Sequence, residues 1–548
     1  MPRLTLSALM AGLVLLTVSP GLSRAANMYV DPTIAQNITT GTYSVINRNS
    51  TGSNGNAYRT IKEAIAAMNG GDDIYIRGGT YREGYIEIPT SKNGTAGDWS
   101  SIQSYPGEWA ILDGERAAQY GVVLGNYGYG DSAQLKYWRL ERLELTGGGT
   151  RSGNATSTCA GFWGNGGPFH IRQCYIHDNL SYTYINNPSG LTGAEWKDSV
   201  VEYCFFRNNG SDGLLSGNCA HIAIYSDYLH DTNAQYGYDG VRGTRNNAFR
   251  YNYFEDGYVG IKHKSGQLLS GRNAGAGHGW NDNYVGQGDK IHHNIFRNLG
   301  KTAMYISQDF AQIYNNIVDT RGLPITVQYE PSRYVLYKVG TYNNTILNPA
   351  GAAITRYGKQ YWAFEEAQYY GFDFNNLIVG GNSSAPYGQE RIINVVPDSS
   401  GVVQFGFSNY SDSHNYFYRP ISAYLFRYFR TDFDAVGAGA QTLTRAPRVV
   451  YTNTGGGGLN IAYENGYFTD GDHVLGTGVT LKTGGIGGVH PYLPDVRLPG
   501  YVGAIDPSDS RWVRQVLDLS QVQNLMNPGY LGIGAPSNLR IQVGNPIP

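Results

Sequence analysis

From about residue 168 the chain repeats one short pattern of apolar and polar positions: an apolar residue, two others, Cys or Asn, one residue, a second apolar residue, and soon afterwards Asn, Asp or Gly. It reads IRQCYIHDN (171–179), VEYCFFRNN (201–209), IYSDYLHDT (224–232), FRYNYFEDG (249–257), IHHNIFRNL (291–299) and IYNNIVDTR (313–321), with looser copies TYNNTILNP (341–349) and DFNNLIVGG (373–381). Anchored on the fourth position, at 174, 204, 227, 252, 294, 316, 344 and 376, the copies lie 30, 23, 25, 42, 22, 28 and 32 residues apart. A unit this short, in which apolar residues alternate and Gly or Asn marks turns, cannot bury its apolar face alone and must stack on its neighbours.

The period predicts an all-β fold, a right-handed parallel β-helix. Leucine-rich repeats have a similar period but carry a Leu-x-x-Leu-x-Leu phrase that is absent here, and propeller blades need about 40 residues each. The repeated Asn has a structural role in such a solenoid: at a turn, its amide can bond the copies above and below, about 4.8 Å away. Cys174 and Cys204 fall in the same column. They are placed either to form a disulfide or to stand as two stacked thiols. The 42-residue step contains an inserted loop, roughly 266–288, whose Trp280 is a candidate stacking platform for a sugar.

The ends add further elements. In TIKEAIAAMNGGDDIYIRGGTYREG (60–84), Ile61, Ala64, Ile65 and Met68 share one helical face ahead of a β-run from Ile74, which predicts an N-terminal helix capping the open core. Arg3, the apolar run Leu4 to Leu16 and the exit Ser23-Arg24-Ala25 have the layout of a secretory signal peptide, so 1–25 is expected to be removed and the product secreted. The β-helix with its cap is expected over 26–384, an irregular β-rich continuation over 385–535, and a linker-like tail over 536–548.

Composition agrees with this picture. Seventy-four Gly, 45 Tyr and 15% charged residues suit a β-rich protein with tight turns and an aromatic surface. Lys and Arg number 41 against 43 Asp and Glu, a net charge of −2, which favours neither nucleic acid nor an anionic membrane as partner. Any polyanion must then be held by a local patch. None of the four Cys forms a CxxC pair, which argues against a sulfur-bound metal.

The segment 60–84 with its continuation IPTSKNGTAGDWSSIQSYPGEWAILDGE (88–115) resembles the opening of pectate-lyase-like β-helix proteins, most closely the polysaccharide lyase family 9 type. The resemblance covers 28–115 and, more loosely, the coils to about 385. It implies a surface groove acting on an acidic polysaccharide and a monomeric enzyme.

Candidate chemistry lies where three coils carry an Asp-Gly: Asp212-Gly213, Asp239-Gly240 and Asp256-Gly257. If Leu214, Val241 and Ile261 point inward, alternation turns Arg242, Lys262 and Lys264 outward. A basic cluster beside a column of carboxylates suits β-elimination from a uronate polymer, which needs a base, a cation to neutralise the uronate carboxylate and a proton for the departing glycosidic oxygen. Neighbouring cations make a Lys easier to deprotonate. Asp212, Asp239 and Asp256 could bind Ca²⁺. By resemblance, Lys262 takes the role of base and the Asp column that of metal ligands. The family's adjacent Asp pair is missing, so Arg242 or Lys264 is the alternative partner of the substrate carboxylate. Tyr238, Tyr258 and Tyr305, with Trp280, are the candidate sugar-stacking residues, and a Tyr could donate the leaving-group proton. Two other readings remain open: a hydrolase using two carboxylates from Asp212, Asp239, Glu255 and Asp256, and a non-catalytic glycan-binding protein.

Overall fold

The computed structural model describes residues 26–118, 121–125, 134–150, 160–182, 188–211, 219–225, 244–264, 288–308, 310–320, 322–328, 339–347, 349, 353–357, 371–379, 393–396, 411–413, 415–418, 426–428, 431–433, 441–442, 449–453, 459–463, 485–490, 493–506 and 511–526. The signal-like segment and the tail after 526 lie outside them.

Each coil contributes three strands, and almost every pairing between coils is parallel and in register. One coil illustrates the plan. Val200–Glu202 belongs to a first wall of 13 strands. After Tyr203, held in the left-handed region at φ 53°, and Cys204, the chain turns into Phe205–Arg207 of a second, narrow wall. It turns again at Asn208, φ 48°, and Ala220–Tyr225 then lies in a third wall. The second and third walls are two flanks of one 22-stranded sheet, because strands such as Tyr253–Lys264 and Ile295–Ser307 run around the corner between them. The architecture is a right-handed parallel β-helix.

Its interior is a continuous apolar column. Phe206, Phe254 and Phe296 stack ring on ring at 4.8 and 4.6 Å, and Ile222, Ile261, Met304, Ile325 and Ile354 line the third wall from within. The predicted cap is present. Helix Ile61–Ala67 starts at a capping box between Thr60 and Glu63, and Ile61, Ala64, Ile65 and Met68 are all buried against the first coils.

The Asn column is a ladder of hydrogen bonds. The side-chain amides of Asn252, Asn294, Asn316 and Asn344 each donate to the amide oxygen of the next member at 3.0–3.1 Å, Asn376 donates to Asn415 at 3.0 Å, and every one of these residues is fully buried. Two corrections to the repeat follow. The amide N–H of Cys204 donates to Asn252 across 48 residues, so the phrase at 224–232 is not a ladder member: its Ile224 and Tyr225 end the third-wall strand of the same coil. The ladder also extends one coil further, to Asn415, where the residues before it, Ser411 to His414, are polar. Cys174 and Cys204 are buried free thiols, so of the two alternatives the pair of stacked thiols is the one found.

Beyond the coils, the C-terminal segment returns along the outside. Helix Arg511–Asp518 packs Trp512, Val513, Val516 and Leu517 against Phe205, Tyr253, Ile295 and Ile317 on the outer face of the second wall. The hairpin of Gly488–His490 and Leu493–Leu498 lays Leu498 on Tyr342, Phe372 and Phe374 of the first wall. Among the described residues, none of this segment's buried apolar side chains joins a cluster with the third wall.

Truncating one rung tests the ladder. Asn316→Ala should lower unfolding stability by about 1–3 kcal/mol, because the backbone N–H of Asn294 and the carbonyl of Ile291 lose their buried partner. Urea denaturation measures it, and an unchanged midpoint would remove the ladder from the account.

Candidate functional site on the third wall

The third wall carries aligned rows of side chains along the solenoid axis. Ile261 faces the core and Lys262 faces out, as alternation predicts, and His263 turns back inward. One outer row runs Thr192, Ala223, Lys262, Tyr305, Thr326, Thr355 through successive coils. Near it, Ala220 and Val259 pair in register, and with Ala223 they pack against Tyr225, Tyr258 and Tyr305. Lys262 therefore lies between Ala223 and Tyr305, beside a patch of small apolar residues and phenols.

Lys262 is only 4% exposed, and its Nζ lies 5.6 Å from the centre of the Tyr305 ring. The electron-rich face of the ring attracts a cation at that distance. Tyr258, on the same surface, lies under Lys301 with Nζ 5.8 Å from its ring centre. Thus Lys262, Tyr258 and Tyr305 come together. Lys264 pairs in register with Ser307, two residues beyond Lys262. Arg242, Tyr238, Trp280, Asp212 and Asp239 lie outside the described residues.

Asp256 is elsewhere. It stands at the corner between the second and third walls at φ 52°, in a column of left-handed turn residues that runs Asp178, Asn208, Asp256, Asn298. Its Oδ1 accepts from Asn298 at 2.6 Å and its Oδ2 from Arg207 at 3.2 Å. Lys262 lies six positions further along the strand, on the order of 15 Å or more away. Each of its oxygens accepts one side-chain hydrogen bond, and among the described residues no three His, Cys, Asp or Glu side chains gather as a metal site. Glu255 is likewise engaged, accepting from Tyr253 Oη at 2.9 Å with Arg297 at 3.6 Å.

Beneath Lys262 the wall is supported by buried polar groups that the repeat pattern does not reveal. At the start of the strand, Gly257 has no side chain, and His221 of the preceding coil fills the gap: a Cβ on Gly257 would come within 2.3 Å of His221 Nε2. His221 Nδ1 lies 3.1 Å from Asn209 Nδ2, the end of a second short amide ladder from Asn179. Burial drives His221 down to about 3, so it is a neutral acceptor for the Asn209 amide.

At the other end, His263 sits with Nδ1 3.3 Å from Asp289 Oδ2. That spacing would suit an ion pair, but both groups are fully buried. Desolvation raises Asp289 to about 7 and lowers His263 to about 4, which makes the neutral pair the form present near pH 6. Asp289 Oδ1 meanwhile accepts from the backbone and side chain of Asn247 at 2.8 and 3.0 Å, so it occupies a position in another turn column that an Asn could fill.

No family model matches the chain, and no curated protein matches it. Among solved structures it is similar to a pectate lyase, Pel9A, at 12% identity over 89% of this chain and 97% of that one, with a TM-score of 0.44. It is also similar to XylC in complex with xylose, at 9% identity over 88% and 98% with a TM-score of 0.45, and to a Yersinia enterocolitica family 28 exopolygalacturonase, at 11% identity over 70% and 75% with a TM-score of 0.38. These likenesses are remote. The strand pairing itself establishes the β-helix.

The His263–Asp289 pair gives a pH prediction. Because Asp289 is raised in the folded state, its contribution to stability is full below the carboxylate's unfolded value near 4 and is lost as pH rises through about 7. Because His263 is lowered, its contribution is present above about 6.5 and is lost as pH falls toward 4. Asp289→Asn should leave the acid limb in place and gain on the order of 2–4 kcal/mol over wild type at pH 9. Thermal melts from pH 5 to 9 measure both limbs, and parallel curves for the two proteins would contradict the assignment.

Proposed function

We propose that the chain is an exported carbohydrate-active enzyme, and specifically a polysaccharide lyase that cleaves a pectate-like uronic-acid polysaccharide by β-elimination with Lys262 as base. One observation carries the reading: a lysine 4% exposed, beside alanines and tyrosines on the outer face of a wall that, among the described residues, the C-terminal segment leaves alone. An extended polymer can lie along the aligned outer rows of successive coils. The family 9 resemblance of residues 60–115 supports the same class, and the signal-like residues 1–25 support export.

In this reading the neutral amine of Lys262 removes the proton at C5 of a uronate. The electron pair forms the C4–C5 double bond as the C4–O bond breaks, and the departing oxygen takes a proton, for which the phenol of Tyr305 beside Lys262 is the donor. A cationic partner lowers the cost of charge that develops on the uronate carboxylate. Arg242 and Lys264 are the residues of this chain assigned to it, with calcium on Asp212 and Asp239 as the alternative. A hydrolase would draw two carboxylates from Asp212, Asp239, Glu255 and Asp256, of which Glu255 accepts from Tyr253 and Asp256 from Asn298 and Arg207.

Turnover of polygalacturonate and alginate should generate the ultraviolet absorbance of an unsaturated uronate, and Lys262→Ala should lower kcat by about 10²-fold or more while the fold is retained. A chelator arm reports whether calcium participates. New reducing ends without absorbance would sink the lyase reading in favour of hydrolysis.

A further inference from the structure

We propose that the cleft between the first wall and the C-terminal hairpin is a second, non-catalytic site that binds a carboxylate-bearing sugar of an acidic polysaccharide. The cavity, about 530 Å³, has Lys290, Gln312, Tyr314 and Tyr342 on one side and Arg497 and Tyr501 on the other. It arises from register. Lys290 and Gln312 are aligned neighbours on the outer face of the first wall, as are His292, Tyr314 and Tyr342, whose rings stack at 4.7 and 5.0 Å. The hairpin covers the later coils, where Leu498 packs on Phe372 and Phe374, and leaves the earlier ones open beside it.

The chemistry of the lining selects an anion with hydroxyl groups. Among the described residues, Lys290 and Arg497 are its only charged lining residues, both exposed, and no carboxylate lines it. In a chain of net charge −2 this is a local positive patch. The neutral groups are arranged to donate. Tyr342 Oη gives its hydrogen to Gln312 Oε1 at 2.9 Å, which leaves the Gln312 amide nitrogen for a ligand. Asn315 Nδ2 donates to Tyr501 Oη at 3.2 Å, and burial pushes the Tyr501 phenol up to about 12, so it remains an O–H donor at neutral pH. Two cations, an amide and a phenol around a preassembled ring stack suit a uronate better than a bare inorganic ion or a neutral sugar. The first wall is a different face of the coil from the wall bearing Lys262, so occupancy here leaves the reaction site open and would tether the enzyme to its polymer.

The inference rests on the proposed acidic substrate, and the test separates the two. The full chain carrying Lys262→Ala, which leaves the polymer intact, is run in native gels containing polygalacturonate, alginate or neutral xylan. Retardation by an acidic polymer and not by xylan is expected. Adding Lys290→Ala and Arg497→Ala should weaken it by about tenfold or more. The same double substitution on the wild-type background should leave turnover of short oligouronates within about twofold, because uncoupled surface sites act independently. Retardation unchanged by the double substitution, absent for both acidic polymers, or relieved as readily by sulfate as by galacturonate would overturn the site. Retardation without any turnover by the wild type would instead sink the lyase reading and leave this site standing.

Discussion

The buried Asn ladder is the constraint on which the rest of the molecule depends. An amide in the dry interior needs partners for both its oxygen and its nitrogen, and a copy of itself one coil away supplies them in both directions. From Asn294 to Asn415 each oxygen accepts from the backbone and side chain of the preceding member, so a coil cannot slip by one residue without orphaning several buried groups. The loops between strands are free to vary because the turns are not: coils of 22, 28, 32, 39, 42 and 48 residues all close on the same column.

Fixed turns give fixed rows. Since the left-handed residue and the ladder residue fall at the same place in each coil, every strand starts in phase, and a side chain's position along a wall is set by its distance from the turn. Lys262 thereby acquires Ala223 and Tyr305 as neighbours from residues about 40 positions away on either side. The same logic builds the cleft on the first wall, where Lys290, Gln312 and the ring stack come from different coils.

What was legible in the chain follows from which parts are periodic. The helix cap, the solenoid and most of the ladder could be read because each places apolar residues at a fixed interval. The outward position of Lys262 could be read because alternation from Ile261 is local. The phrase at 224–232 misled because an alternating third-wall strand, ending at Ile224 and Tyr225, imitates the approach to a ladder turn. Asn415 went unseen because a single buried amide needs no apolar phrase before it. Asp256 read as one of a carboxylate column, yet its left-handed backbone and its bonds to Arg207 and Asn298 make it a turn residue, a role that Asp shares with Asn and that spacing alone does not separate from ligation.

The C-terminal return was illegible for a deeper reason: it has no repeat of its own. Trp512, Val513, Val516 and Leu517 cover a surface that the coils create only once they are stacked, the outward row of Phe205, Tyr253, Ile295 and Ile317. In an isolated coil those residues would read as exposed hydrophobic side chains on a strand, and their cover lies about 200 to 310 residues later. This covering also divides the labour of the walls. Two outer faces are occupied in whole or part by the chain itself, whereas the row through Lys262 stays clear of it among the described residues. A solenoid exposes three long faces by construction. Covering apolar ones with its own terminus leaves open surfaces that carry polar and charged side chains, and both proposed sites lie on such surfaces.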